Sequence, residues 1–273
     1  MKKKVILFTL LFIWTFQNVG FAVNVIAENE ISQTTDIEIL FLGIPWGSTS
    51  VDTISAVKQV FPAINSEKAE QSPGPEISGV MHKSYNYSDE EHRCFSYYES
   101  ENVEVTSYKL ENTISHHANY DYMGYVGNVA GHNVDSIEVR FIDSGNYGFF
   151  SACYSITVSE DDLISCIDRY QDIKDKLIQL YGNPFSYDIS GHDIMGEKTG
   201  ECSNWKGENG SAVTISYEDY STGYLRGNGY IRINYGTTAC NSIFIDADAK
   251  AEADTQAKID DEKKAIANDN TGL

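Results

Sequence analysis

The sequence predicts an α+β protein: two helix-plus-antiparallel-strand halves, with helices packed on one face of a mostly antiparallel sheet. Three observations predict it. Residues 51–61 and 163–181 carry apolar side chains at steps of three and four, the period of an amphipathic helix. Between and after them stand short runs of β-branched and aromatic residues broken by Gly, Asn and Asp, the pattern of a meander. The order helix-then-strands occurs twice, over about 37–158 and 159–236, as an echo of element order and not of residue identity.

Composition bounds the class. The chain has 273 residues, 12% aromatic, with 18 Tyr, 21 Gly and only 5 Pro, which reads as globular and β-rich and not disordered. Its 20 Lys and Arg against 40 Asp and Glu leave a formal charge of −20. That charge repels phosphate backbones and anionic membranes, so no nucleic-acid partner is expected. A basic protein or a divalent cation is the partner class it leaves open, and solubility alone also accounts for it.

Residues 1–27 have the pattern of a secretory signal peptide. Lys2, Lys3 and Lys4 precede an apolar run over 5–16 that is short for a membrane span. Val25-Ile-Ala27 offers a small-residue cleavage site, with Gly20-Phe-Ala22 as the alternative, and no Cys follows either directly. The expectation is a secreted or periplasmic protein with no transmembrane segment after removal of that stretch. Residues 28–245 then form the α+β domain, and 246–273 form an acidic tail.

The first element centres on Phe41-Leu-Gly-Ile-Pro-Trp-Gly-Ser48. Residues 37–42 favour a strand. Gly43, Pro45 and Gly47 end it. Thr49, with Asp52 three residues on, caps the next helix, whose stripe is Val51, Ile54, Val57 and Phe61. Trp46 reads as a core anchor between strand end and helix start, with a ligand-stacking platform as the sharper alternative. Residues 62–75 are polar and read as a loop. Strands are expected at 77–87, 93–98, 103–110, 126–131, 136–141 and 149–158. Ser159, followed by three acids, is expected to cap the second helix, with Leu163, Ile167, Tyr170, Ile173, Leu177, Leu180 and Tyr181 as its apolar face. Gly182-Asn-Pro184 ends that helix. Residues 184–202 read as a loop, then strands follow at 203–206, 212–217 and 230–235. The tail is rich in Ala, Asp, Glu and Lys, with Ile259 and Ile266 as its few apolar residues, and predicts a solvated helix.

These motifs carry a resemblance. The Phe-x-Gly-Ile-Pro-Trp-Gly opening resembles that of a set of uncharacterised bacterial secreted proteins and lipoproteins. So do Val129-Ala-Gly131, Ile137-Glu-Val-Arg-Phe141, the helix end Leu177-Ile-Gln-Leu-Tyr-Gly-Asn-Pro184, and the later Trp205. The similarity spans about 37–236, in corners and core positions. It implies a fold related to the helix-plus-sheet repeats of the β-lactamase inhibitor protein and of small outer-membrane assembly lipoproteins. It implies no activity.

No catalytic residue is singled out. Gly-x-Ser-x-Gly is absent, and acids are too plentiful for pairs to inform. No cofactor and no metal site is expected, because Cys-x-x-Cys and His-Glu-x-x-His are both lacking; His116-His117 with Asp121 is the nearest approach to a ligand set, against the plainer reading of a solvated loop pair. Five cysteines in a secreted chain suggest disulfides. Cys166 lies on the second helix stripe and reads as a buried free thiol. Cys94–Cys153 and Cys202–Cys240 are then the expected pairs, although spacing does not fix connectivity. The candidate binding segment is the aromatic loop around Tyr120, Asp121, Tyr122 and Tyr125, whose residue types suit protein recognition, although alternate tyrosines also suit an ordinary half-buried strand. Tyr217, Tyr220, Tyr224 and Tyr230 form a second candidate cluster. The expectation is a non-enzymatic, extracytoplasmic protein-binding or inhibitor-like protein of unknown protein partner. A secreted hydrolase without a linear motif and an envelope assembly factor are the alternatives.

Overall fold

Helix α1 (Ser50–Val60) forms where the Thr49 cap places it. The Thr49 hydroxyl accepts from Asp52 N–H at 3.1 Å and donates to the Asp52 carboxylate at 2.8 Å. A computed structural model of the chain describes residues 37–72, 102–117, 120–142, 147–159, 161–188, 200–219 and 228–268. Its strands are β1 (Ser66–Ser72), β2 (Val105–His117), β3 (Tyr120–Gly124), β4 (Gly127–Val129), β5 (His132–Val134), β6 (Ser136–Ile142), β7 (Gly148–Val158), β8 (Phe185–Asp188), β9 (Gly200–Lys206), β10 (Ser211–Asp219) and β11 (Gly229–Thr237). Helix α2 (Cys166–Tyr181) follows β7, and α3 (Asn241–Asn268) follows β11.

The protein is α+β. One large sheet runs in the order β1-β2-β6-β7-β11-β10-β9-β8, with every neighbouring pair antiparallel. That order is two four-stranded meanders, each led by a helix, joined at their last strands β7 and β11. In the joint, Tyr154 stands opposite Ile233 and Ile156 opposite Ile231. The predicted pair of similar halves is therefore a pseudo-symmetric sheet.

Alternation sends one set of residues to each face. Ile137, Val139, Tyr154, Ile156, Val213, Ile215, Ile231 and Ile233 meet Ile54 and Val57 of α1 and Tyr170, Ile173 and Leu177 of α2 in the main core. Phe41 sits in this core against Phe149, Tyr154 and Tyr235, with ring centroids 6.1, 5.1 and 5.6 Å away. The opposite face holds a smaller cluster of Val103, Val105, Ile142, Phe150, Cys240 and Phe244, so the first turns of α3 close one corner. From Glu252 to Ile266, α3 is solvent-exposed throughout, as the tail composition predicts.

Several expectations need correction. Residues 37–40 are in no strand, and Phe41–Gly43 is a 3-10 turn. Leu42 has φ 52° and Gly43 φ 73°, which curls the chain away from a ladder. The segment is held instead by Ile39 N–H donating to Ser211 Oγ (2.8 Å) and Glu208 N–H donating to Ile37 O (3.1 Å). Val51 lies exposed on the first turn of α1, and Thr53 takes the buried place. The polar stretch 62–75, read as a loop, contains β1, an edge strand paired along its length with β2. Helix α2 starts six residues later than expected, after a turn in which Ser159 N–H donates to Asp162 at 3.0 Å. Its cap is Ser165, which accepts from Asp168 N–H at 3.1 Å. Leu163 and Ile167 are consequently exposed. The loop read at 184–202 contains β8. The expected strands at 77–87 and 93–98 lie outside the described residues, as does Cys94.

Candidate binding site

The feature that leaves the sheet is a two-stranded ribbon. Strand β2 pairs with β1 and β6 only as far as Glu111, which faces Ser66 and Ser136. Beyond that point its partner is β3, with Asn112 opposite Gly124, Thr113 opposite Met123, Ser115 opposite Tyr122, His116 opposite Asp121 and His117 opposite Tyr120. Among the described residues, β3 pairs with β2 alone. The aromatic loop read from the sequence is thus a β-hairpin arm, and His116-His117 lies on its first strand.

The base of the arm is tied down. Asn65 ends the turn before β1, and its side-chain amide copies a strand's peptide group. Thr113 N–H donates to Asn65 Oδ1 at 2.8 Å, and Asn65 Nδ2 donates to Thr113 O at 2.9 Å and to Asn112 Oδ1 at 3.2 Å. Asn112 Nδ2 in turn donates to Tyr125 O at 3.0 Å, fixing where the returning strand leaves the arm. One residue below, Glu111 is buried at 4% exposure and takes Lys68 at 3.0 Å and Lys109 at 2.7 Å. Burial pushes its carboxyl upward, but the bonds from Lys109 and Lys68 outweigh that and hold it below the usual carboxylate range.

A register shift between Thr113 and Ser115 makes Ile114 a bulge residue, 68% exposed. A side chain at Gly124 would meet the Ile114 side chain at 2.7 Å and Asn112 Nδ2 at 2.8 Å, so glycine lets Ile114 lie across the arm. Met123 and Tyr125 are exposed as well. The arm therefore brings the four predicted residues Tyr120, Asp121, Tyr122 and Tyr125 onto or next to one strand and adds Ile114 and Met123. Sequence reading missed those two: Ile114 sits in a polar run with no alternation, because a bulge breaks the period of two. Asn65 is 48 residues from Thr113 and carries no local signal.

Other candidates resolve into supporting structure. Trp46 packs on the core, stacked 5.1 Å from Phe149, as the anchor reading expects. Tyr217 is buried 4.7 Å from Tyr170, whereas Tyr230, opposite Glu218, is exposed; the two do not form a cluster, and Tyr220 and Tyr224 lie outside the described residues. Across the middle of the sheet face away from α1 and α2, Lys109, Glu138, Cys153, Asn234, Thr214 and Asn204 form one polar cross-strand row, and Phe150 of that face lies in the corner cluster with Phe244. Tyr170 OH bonds Ser203 Oγ at 2.8 Å and Glu201 at 3.0 Å, and Lys174 donates to Glu201 at 2.6 Å. Tyr170 and Ser203 are fully buried, so this quartet bolts α2 to β9 and presents no hydroxyl to a substrate. The β4–β5 hairpin turns at Ala130 (φ 52°) and Gly131 (φ 86°) and docks on α2: Lys176 donates to Ala130 O and to Asp172, and His132 Nε2 meets Asp172, each at 2.6 Å.

Cys153, Cys166, Cys202 and Cys240 are free thiols. Cys166 is buried and free as predicted; Cys202 and Cys240 are not paired, and Cys153, expected to pair with Cys94 outside the described residues, is free. Cys202 stands opposite Ser216, which stands opposite Arg232, five residues before β11 ends at Thr237. That is roughly 17 Å along a strand, against the ~7 Å limit between the α-carbons of a disulfide. Burial, then the charge of Asp219, pushes the Cys166 thiol up to about 12, so it is no thiolate at neutral pH. Among the described residues, no group of three or more His, Cys, Asp and Glu is placed to hold a metal, and no helix is long and apolar enough to cross a membrane. No protein-family model, curated protein or solved structure matches the chain.

Proposed function

We propose that the protein is a non-enzymatic, extracytoplasmic binding protein that grips an extended polypeptide through its β2–β3 arm. One observation carries the reading: the arm runs past the sheet, adds little to the core, and is nevertheless built and fastened. An isolated two-stranded ribbon is marginal in water, so its exposed Ile114, Met123 and Tyr125 suit a surface completed by a partner. Strand addition supplies main-chain hydrogen bonds along the outer edge of β3, and alternate side chains supply the selectivity. The signal-like residues 1–27 support an extracytoplasmic site of action.

The test is affinity capture from the host's own extract, with cytoplasmic and extracytoplasmic fractions taken separately. Wild type is compared with Met123→Ser/Tyr125→Ser and with Tyr120→Ala/Asp121→Ala/Tyr122→Ala. The expected outcome is a partner enriched from the extracytoplasmic fraction and lost by at least tenfold in both variants, with unchanged thermal melts. Equal capture by variants and wild type removes the arm from the function.

A further inference from the structure

A second unpartnered apolar surface lies at the start of α2. Leu163 is 104% exposed, Ile164 49% and Ile167 46%, three large aliphatics within five residues. Single exposed apolar residues are ordinary, but a contiguous group with a polar rim marks an interaction surface. The group runs into a cavity of about 220 Å³ whose apolar wall is Val158, Leu163 and Cys166. Asp162, Asp168 and Asp219 supply its polar wall, and Asp161 stands exposed beside it. Arg169 offsets Asp162, which its guanidinium meets at 3.1 Å while also donating to Ile164 O at 3.3 Å; the acidic character of the wall rests on Asp168 and Asp219, with Asp161 beside it.

We infer that this surface docks a cationic polypeptide segment with an aliphatic or aromatic anchor. Charge complementarity selects that occupant. A second copy would set acids on acids, and an anionic lipid surface would meet a chain of net charge −20. Lys and Arg side chains suit a cavity with one apolar and one acidic wall, because the methylene stem covers Val158 and Leu163 while the head reaches the carboxylates. Strands β2 and β11 are three ladder steps apart, roughly 14 Å, and the arm and this surface share the end of the sheet where β2 and β7 finish. One partner of ordinary interface size reaches both, yet the second surface stands independently of the arm.

The experiment measures fluorescence anisotropy of the full chain with a labelled nine-residue peptide alternating Lys and Leu. Its Ser-for-Leu and Glu-for-Lys counterparts are the comparison probes. The Lys-Leu peptide is expected to bind, with each counterpart and the Leu163→Ser/Ile167→Ser variant at least tenfold weaker. Leu163→Ser alone, at a fully exposed site, guards against misfolding and is expected to weaken binding about threefold. The tail-helix variant Ile259→Ser/Ile266→Ser, which removes two exposed aliphatics far from this surface, is expected to bind the peptide like wild type. Unchanged affinity in the Leu163→Ser/Ile167→Ser variant assigns binding to bulk charge and overturns the proposal. So does equal loss in the tail-helix variant, or no binding by wild type.

Discussion

Glu111 stands where the sheet ends and the arm begins. Its carboxylate is buried while both lysines that hold it are half-exposed, so the acid carries the cost of an unpaired charge. Its folded pKa is lowered, so its contribution is fully present above the ordinary carboxylate range and is lost as pH falls through the folded value. Glu111→Gln is expected to lower stability by about 2 kcal/mol at neutral pH, and the difference from wild type should shrink below roughly pH 4. Urea unfolding at pH 7 and pH 3 checks it; an equal difference at both would contradict the assignment. Asp172 has the same sign: burial raises its pKa, but Lys176 and His132 overcome that and lower it. Such residues were not legible in the sequence. Glu111 is one acid among 40, and only the ladder brings Lys68 beside it. Cys166 was legible, since its place on the α2 stripe predicts burial. Cys202 and Cys240 were not, because strand register, absent from spacing, separates them.

At the scale of elements, local chemistry read well and long-range pairing read poorly. The Thr49–Asp52 cap, the Gly182 stop and the strands β6, β7, β10 and β11 follow from patterns within a few residues of each other. Strand β1 escaped notice because an edge strand with two wet faces has no alternation, and its existence depends on β2, which lies more than thirty residues later. Helix α2 was started too early because Ser159 and Ser165 are both plausible caps, each with an aspartate three residues on. The arm rests on an equally distant tie. Asn65→Ala removes two hydrogen bonds to Thr113 and is expected to raise amide exchange over residues 113–123 about tenfold, while the melting temperature moves by less than about 3 °C. Exchange of the arm unchanged in Asn65→Ala would show that the clamp does not hold it.

For the whole molecule, two meanders joined at β7 and β11 place an apolar face under α1 and α2 and, opposite, a polar middle row with one apolar corner closed by α3. The arm, the β4–β5 hairpin and the start of α2 all lie at one end of the sheet. The charge of −20 disfavours nucleic acid and anionic membranes and leaves a basic protein or a divalent cation open. Fold class was legible from periodicity because the core alternates cleanly. The arm was legible only as residue types, since exposure and free edges are properties of pairing. The most direct test of the arm is amide hydrogen exchange of the full chain with and without its captured partner. Strong slowing is expected over residues 114–125, with little change along β10 and β11. Slowing confined to the polar sheet face, with the arm exchanging as before, would contradict the arm's binding role.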